Sequence, residues 1–419
     1  MARIILATFG SHGDLNPFLA LGVELKQRGH RVIVAAAGAY KADIERLGLE
    51  HAPVRPELDQ SDVKMLERAM HPRWGSEVVV RLVMDAVPDS YADLEKAAVD
   101  ADLLVTHTLT YAAPVLAEKK GFKWLSVALQ PLVFFSPHDP PVLAPAPWLA
   151  ALRPLGPCVN GPLLNLLKKF SYSWGDPVRA LRKELGLGPG RDPIFEGQHS
   201  PYGVLALYSE LFAQPQPDWP ERVTVCGFPF LDQDLGGKPL DPRLEAFLAA
   251  GEKPVVFTLG STAVRIAGDF YQTAAKAAKI AGTRAVLLAG DGVQALGALP
   301  SGILAVPSAP YHALFPRCAA IVHSGGIGTT AQALRAGVPQ IVAPFAHDQY
   351  DNAARIERMG VGSRCKRTTR ASELAATLSR LTDNNGLTDR AAQAGALIRA
   401  ENGVTSACNA IERILSSSR

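Results

Sequence analysis

Residues 321–352, IVHSGGIGTTAQALRAGVPQIVAPFAHDQYDN, compress a strand end, a glycine-rich turn, a helix start, a second strand and an acidic-amide pair into about thirty residues. Ile321-Val322 closes a short apolar strand, and Gly325, Gly326 and Gly328 remove side chains where the backbone must come close to something. Thr329 to Arg335 reads as a helix that stops at Gly337. A glycine turn feeding a helix N-terminus presents unpaired N–H groups and the positive end of the helix dipole, which suits an anionic phosphate. Thr329 and Thr330 add hydroxyls at the same end. A second buried strand, Gln340 to Pro344, returns the chain to the same sheet edge, where Asp348-Gln349 emerge. Ligands of open α/β sheets bind at those carboxyl ends. The block is neither G-x-G-x-x-G nor G-x-x-x-x-G-K-[ST], so the dinucleotide and P-loop readings lose their main support. A glycine turn by itself often only closes a turn; the specificity lies in the whole block.

Outward from this block, the grammar repeats. Arg3 to Thr8 reads as a buried strand; Asn16 can cap a helix with Pro17 in its first turn, and Phe18, Leu21 and Leu25 recur at helical spacing up to Gly29. Arg31 to Ala36 is the next strand, completing a βαβ opening and implying a parallel sheet covered by helices. The pattern restarts at residue 254: PVVFTLGST runs a strand into Gly-Ser, and Asp269 to Ala281 is a helix ending at Gly282. Two doubly wound α/β domains in tandem are expected, 1–215 and 222–390, joined by the proline-rich run AQPQPDWPERV at 213–223. Residues 391–419 are expected to be helical, with the last helix crossing back to the first domain. The prolines and glycines of 136–161 and the apolar stretch Leu163 to Phe170 form an irregular insertion suited to a substrate pocket.

The totals exclude several classes. With 47% hydrophobic and 20% charged residues over 419 positions, the chain is an ordinary globular protein long enough for two or three domains. A net charge of +3 with no dense basic and aromatic cluster gives no argument for nucleic acid. The five cysteines are scattered, odd in number and free of C-x-x-C spacing, so neither a disulfide framework nor a zinc site is expected, and a cytoplasmic location is. The N-terminal apolar run reaches Ser11, His12 and Asp14 too soon for a signal peptide, and arginine and prolines break the apolar stretch 143–167, which leaves peripheral contact with the inner face of a membrane rather than a span.

Two facing domains set the glycine block opposite GSHGDLNP at 10–17. Asp14 then sits on the turn at the carboxyl end of the first strand, where reactive groups of such folds gather. The competing reading makes Asp14 a helix cap, and His12 reads as a second base or as its orienting partner.

The segments HSGGIGTTAQALRAGVPQIVAPFAHDQYDNA and GSHGDLNPFLALG, with DWPERVTVCGFPFLD and VVFTLGST, resemble the family 1 nucleotide-sugar glycosyltransferases of the GT-B fold. The likeness spans nearly the whole chain and is closest to the bacterial branch that holds sterol, antibiotic and rhamnolipid-building transferases. It implies two facing Rossmann-like domains with a cleft between them, no cofactor, and a UDP- or dTDP-sugar as donor substrate. It further implies donor contacts from His323, Ser324, Gly325, Gly326, Gly328 and Thr329 around the diphosphate, Ser261 and Thr262 on a second phosphate turn, and Asp348 and Gln349 on the sugar hydroxyls. Asp14 falls where plant members carry their catalytic histidine and related bacterial members an aspartate. The chain departs from the plant pattern at Val306 and Ala309, where a Trp and a Gln bind uridine, and at Ser324, which aligns with the phosphate histidine; the base is therefore open between uracil and thymine.

The residues and the resemblance agree on one expectation: an inverting, metal-free transfer of the sugar to a hydroxyl of a hydrophobic small-molecule or lipid acceptor, with Asp14 as general base. Phe134, Phe135 and Trp148 of the insertion are the expected acceptor contacts, with ordinary core packing as the alternative. A D-x-D at Asp232-Gln233-Asp234, the metal signature of transferases of another fold, lies in a Gly/Pro-rich linker and reads as chance. A sugar-nucleotide epimerase or hydrolase on the same scaffold, or a non-catalytic nucleotide-sugar-binding subunit, remains the alternative.

Overall fold

The computed structural model describes residues 1–57, 61–231 and 240–417, so the D-x-D at 232–234 lies outside the described residues. Two parallel sheets organise the chain. The first is built from β1 (Arg3–Ala7), β2 (Arg31–Ala36), β3 (Glu50–Pro53), β4 (Leu103–His107), β5 (Lys123–Ala128), β6 (Val204–Ala206) and β7 (Val223–Val225), in the order 3-2-1-4-5-6-7. The second uses β8 (Val255–Thr258), β9 (Ala285–Leu288), β10 (Ile303–Val306), β11 (Ala320–His323), β12 (Gln340–Val342) and β13 (Gly362–Arg364), in the order 10-9-8-11-12-13. Both are doubly wound, Rossmann-like sheets whose order reverses beside the first strand, so β1 and β8 open their carboxyl ends at the switch points where ligands bind. In register, Ile5 of β1 lies between Ile33 and Leu104, and Val256 of β8 between Val286 and Ile321. These strands are buried on both faces, which is why they read as continuous apolar runs rather than alternating ones.

The first sheet extends past residue 215, because β7 pairs with β6 through Val204↔Val223 and Ala206↔Val225. The C-terminal helices divide between the domains. Helix Asn385–Ala400 packs on helix Ile327–Ala336 so tightly that a Cβ on Gly395 would stand 2.5 Å from Gly337 Cα. Helix Gly403–Ser416 crosses back, placing Ala407, Cys408 and Ile411 in the core of the first domain and pairing Glu412 with Arg28 at 2.7 Å and His30 at 3.1 Å. Beneath the cleft one apolar cluster belongs to both domains, with Tyr208, Phe212 and Trp219 packed in the same group as Ile327, Leu334 and Ile356.

A buried ion network ties the insertion to the donor side. Arg355, on helix Gln349–Arg358, reaches Asp351 at 2.7 Å on its own helix and Asp139 at 2.7 Å in the insertion, while the Val142 N–H donates to Asp351 at 3.0 Å. Arg153 also pairs with Asp139. Burial by itself would raise the Asp139 carboxyl, but the Arg355 charge and hydrogen bond outweigh it and hold the group below the usual carboxylate range.

The opening helix differs from its expectation. It runs His12–Gln27 with Ser11 as N-cap, so Pro17 sits inside the helix rather than in its first turn. Ser11 and Asp14 form a capping box: the Gly13 N–H donates to Ser11 Oγ at 3.1 Å and the Ser11 N–H to Asp14 Oδ2 at 2.7 Å. Two orphan donors are thereby satisfied, against one at most for a cap at Asn16. Among the described residues no helix is long and apolar enough to cross a membrane.

Candidate functional site

The glycine turn follows β11 as expected, and its helix Ile327–Ala336 has Gly326 as an N-cap that contributes no side-chain hydrogen bond. The N–H groups of that first turn therefore have no intrahelical partner. Three of the expected donor contacts, His323, Ser324 and Gly325, have other duties. His323 is fully buried, accepts the Gly325 N–H on Nδ1 at 3.1 Å and lies 2.9 Å from Gln340 Oε1 through Nε2. Because Nδ1 accepts, the ring proton is on Nε2 and is donated to Gln340. Both nitrogens of His323 and the Gly325 N–H are consumed inside the protein, so they brace the turn. Ser324 Oγ donates to the Leu259 carbonyl at 3.0 Å and ties this turn to the one after β8. Ser261 and Thr262 sit there in the short helix Gly260–Ala263, and Gly260 lies against Thr329, whose Oγ1 would be 3.6 Å from a Cβ on that glycine.

Gly325 has φ +92°, and a Cβ there would meet Val342 Cγ1 at 2.6 Å and the Gln349 carbonyl at 3.1 Å. A Cβ on Gly326 meets nothing within 4 Å. Gly325→Ala is therefore expected to cost about 1–3 kcal/mol of stability and to weaken nucleotide-diphosphate binding, with Gly326→Ala far milder. Urea unfolding and ligand titration of the pair check this, and equal effects at both positions would refute it.

Burial pushes the His323 imidazole down to about 4. The unfolded chain takes up that proton near pH 6.5 and the folded chain does not, so this histidine stabilises fully at higher pH and less as pH falls from about 6.5 toward 4. Between pH 7 and pH 5 the wild type should lose about 2 kcal/mol more than His323→Asn, which keeps an acceptor for Gly325 without the titration. Parallel stability profiles of the two proteins would contradict this.

Opposite the turn, Asp348 precedes helix Gln349–Arg358, and Asn352 one turn later donates to Asp348 Oδ2 at 2.7 Å and to the Gly325 carbonyl at 2.8 Å. Asn352 is the residue the sequence reading left out; its place four residues after Asp348 on a helix was the available signal. Gln349 turns its Oε1 to the Phe345 and Ala346 N–H groups at 2.8 and 3.1 Å, which fixes the loop and leaves only its amide N–H groups for a ligand. Burial first, and the charge of Asp14 second, push the Asp348 carboxyl up to about 7. The charges of the two carboxylates therefore act on each other across the two domains.

Asp14 is in the first turn of helix His12–Gln27, and the loop before it closes tightly on the carboxylate: Gly10, at φ +132°, would put a Cβ 2.3 Å from Asp14 Oδ2. The capping reading and the reactive reading of Asp14 are compatible, because Oδ2 takes the cap bonds from Ser11 and Oδ1 points to His107 Nε2 at 3.9 Å. His12 goes elsewhere. Its Nε2 is 3.2 Å from Asp43 Oδ2 and its ring stands edge-on to Tyr40, so it is not the partner of Asp14.

His107 also lines a cavity of about 1120 Å³ under the insertion. Phe134 and Phe135 are in its wall, Phe134 stacked between His199 and Trp219 at centroid distances of 5.4 and 4.1 Å. Trp148 is not: it lies on the 3₁₀ helix Pro147–Leu155 with 68% of its surface exposed, whereas Trp219, far from it in sequence, is in the wall. Among the described residues no cluster of His, Cys, Asp or Glu could hold a metal ion.

Residues 4–131 match the N-terminal domain of glycosyltransferase family 28, and residues 273–409 the C-terminal domain of the erythromycin biosynthesis protein CIII-like proteins. The O-mycaminosyltylonolide 6-deoxyallosyltransferase of Streptomyces fradiae is 35% identical, over 98% of this chain and 97% of that one. The solved structure of the glycotransferase of kitacinnamycin covers 99% of both chains at 25% identity and a TM-score of 0.74. That of glycosyltransferase VinC in complex with dTDP covers 99% of both at 22% identity and a TM-score of 0.68.

Proposed function

The chain belongs to the family 1 nucleotide-sugar glycosyltransferases of the GT-B fold, and from that membership we propose that it moves a sugar, with inversion, from a nucleoside diphosphate sugar to a hydroxyl of a hydrophobic acceptor. The observation that carries the acceptor class is the aromatic-walled cavity whose lining includes His107, 3.9 Å from Asp14. Asp14 takes the proton of the acceptor hydroxyl as its oxygen attacks the anomeric carbon. The bond to the diphosphate oxygen breaks, and its electron pair leaves with the nucleotide. The free N–H groups of helix Ile327–Ala336, its dipole and the Ser261-Thr262 turn stabilise that departing charge, a duty a bound metal would otherwise perform. Asp348, with its carboxyl near the top of its range, and the Gln349 amide hold the sugar hydroxyls.

The tyrosine and proline surroundings after β10 offer no stacking tryptophan, and the relative solved with dTDP favours a thymidine donor over a uridine one. The test is to incubate the protein with dTDP-glucose, dTDP-rhamnose and UDP-glucose, with and without polyketide or sterol alcohols and with EDTA, reading product mass and anomeric configuration. The expected result is an acceptor-dependent, EDTA-resistant glycoside of inverted configuration. Nucleotide release that ignores the acceptor would favour hydrolysis or epimerisation instead, and loss of activity in EDTA restored by Mg²⁺ would overturn the metal-free step.

A further inference from the structure

The carboxylate proposed to hold the sugar, Asp348, and the one proposed to take the acceptor proton, Asp14, stand on different domains. The gap between them is therefore set by contacts that cross from one domain to the other. The residue before Asp348 makes such a contact. His347 lies in the loop between β12 and helix Gln349–Arg358, and its ring leaves its own domain: Nδ1 is 3.2 Å from Ser76 Oγ, and the imidazole has a hydrogen bond to the Ala69 carbonyl. Ala69 ends helix Val63–Ala69 and Ser76 stands in the first turn of helix Gly75–Asp85, both of the first domain. A carbonyl only accepts and a hydroxyl does either, so a neutral ring satisfies both partners with its single proton. Desolvation holds the imidazole below its ordinary value, although the Asp14 charge and the Ala69 bond pull the other way.

The rest of the hairpin is fitted to the same loop. Met70 is buried in the apolar cluster of the second domain with Ile266 and Phe345, and Leu66 packs against it. Gly75 lets the second helix start close in, since a Cβ there would be 2.1 Å from the Ala69 carbonyl oxygen and 3.4 Å from His347 Cε1. His347 itself has φ +55°, a left-handed backbone that a β-carbon disfavours and a glycine adopts freely. A residue persists in such a conformation where its surroundings over-determine it, and here the surroundings include the other domain.

We propose that His347 is a positioning residue: it fastens the Asp348 loop to the hairpin of helices Val63–Ala69 and Gly75–Asp85, and so fixes the sugar-binding carboxylate relative to Asp14. That role rests on the glycosyl-transfer reading given above. The polar partners of the ring are protein groups, so His347 acts through Asp348 and not on the substrate itself. Transfer depends on the anomeric carbon and the acceptor oxygen meeting in line, and the two are held by different domains. A slack joint between the sugar loop and the first domain therefore lowers the rate of the step. The diphosphate contacts of the proposed function lie on the second domain alone, so nucleotide affinity is indifferent to the joint.

The experiment compares His347→Gly, His347→Asn, Ser76→Ala and the double variant Ser76→Ala/His347→Gly with the wild type in single-turnover rate, affinity for dTDP and UDP, and Tm. Glycine keeps the left-handed backbone and removes the joint. His347→Gly is therefore expected to fold with a Tm near wild type, bind both nucleotides unchanged and lose roughly 10- to 10²-fold in rate, the cost of a misplacement on the order of 1 Å. Ser76→Ala should lose part of that rate, and nothing further once His347 is replaced, because the two residues act through one contact. His347→Asn, whose carboxamide tolerates this backbone and puts an oxygen near the place of Nδ1, should regain roughly threefold or more of the loss. A wild-type rate in His347→Gly, additive losses in the double variant, or nucleotide affinity that falls in step with the rate overturns the assignment. Should His347→Gly fail to fold, His347→Asn and Ser76→Ala decide: both must be slower than wild type at unchanged nucleotide affinity, and a wild-type rate in either overturns the proposal. A wild type that transfers to no acceptor defeats the reading beneath it instead. Amide exchange of residues 63–85 then still reads the joint: faster exchange in His347→Gly upholds the fastening, and equal exchange overturns it.

Discussion

Asp14→Asn is expected to retain nucleotide-diphosphate binding and lose kcat by roughly 10²–10⁴-fold, the range a positioned general base supplies. In the proposed function the diphosphate contacts are those of helix Ile327–Ala336 and the Ser261-Thr262 turn of the other domain, so donor affinity should not follow the base. The carboxylate has two duties, and the substitution separates them. An Asn oxygen can still accept the Ser11 N–H that now reaches Oδ2 at 2.7 Å, so the cap survives and stability should shift by no more than about 1 kcal/mol. Single-turnover rates and Tm on one preparation check both halves. A kcat near wild type would remove Asp14 from the chemistry, and a collapse of Tm would make it mainly a cap.

Arg355→Leu is expected to destabilise the protein by about 3–5 kcal/mol, because it leaves Asp139 and Asp351 as buried carboxylates without their shared cation. Their side chains are only 8% and 1% exposed, so water cannot take over the role. Arg355→Lys should fall between: a lysine keeps the charge but cannot reach two carboxylates with a planar fork. The same network anchors the helix that Asp348 precedes to the insertion, which walls the cavity proposed for the acceptor. The Leu variant should therefore also raise the acceptor KM. Urea unfolding is the measurement, and a loss below about 1 kcal/mol would show that the network is solvated rather than buried.

What was legible in the sequence follows the range of the interactions. The strands β1, β2, β8 and β11, the helix end at Gly337 with φ +70° and the crossing-back of the last helix were readable because apolar runs, glycine stops and helical spacing are local. The helix start at His12 was misplaced because a capping box at Ser11 and Asp14 competes with a plausible cap at Asn16, and two satisfied donors outweigh one. The domain joint was placed too early because β7 is three residues long, and so short a strand has no periodicity of its own.

For the site, the sequence by itself determined on which edge the segments lie: the turn after β11, Asp348-Gln349 and the loop with Asp14 are all at carboxyl ends of parallel strands of their own sheets, and that follows from the βαβ repeat. Tertiary structure alone decided what each side chain does there. It turned His323 and the Gly325 N–H inward, drew His12 to Asp43, left Trp148 on the surface, and brought His107, ninety-three positions away, to 3.9 Å from Asp14. Backbone pattern is set by neighbours along the chain, whereas the hydrogen-bond partner of a buried polar group is set by whichever groups the packed sheets bring within about 3 Å, and no spacing in the sequence encodes that.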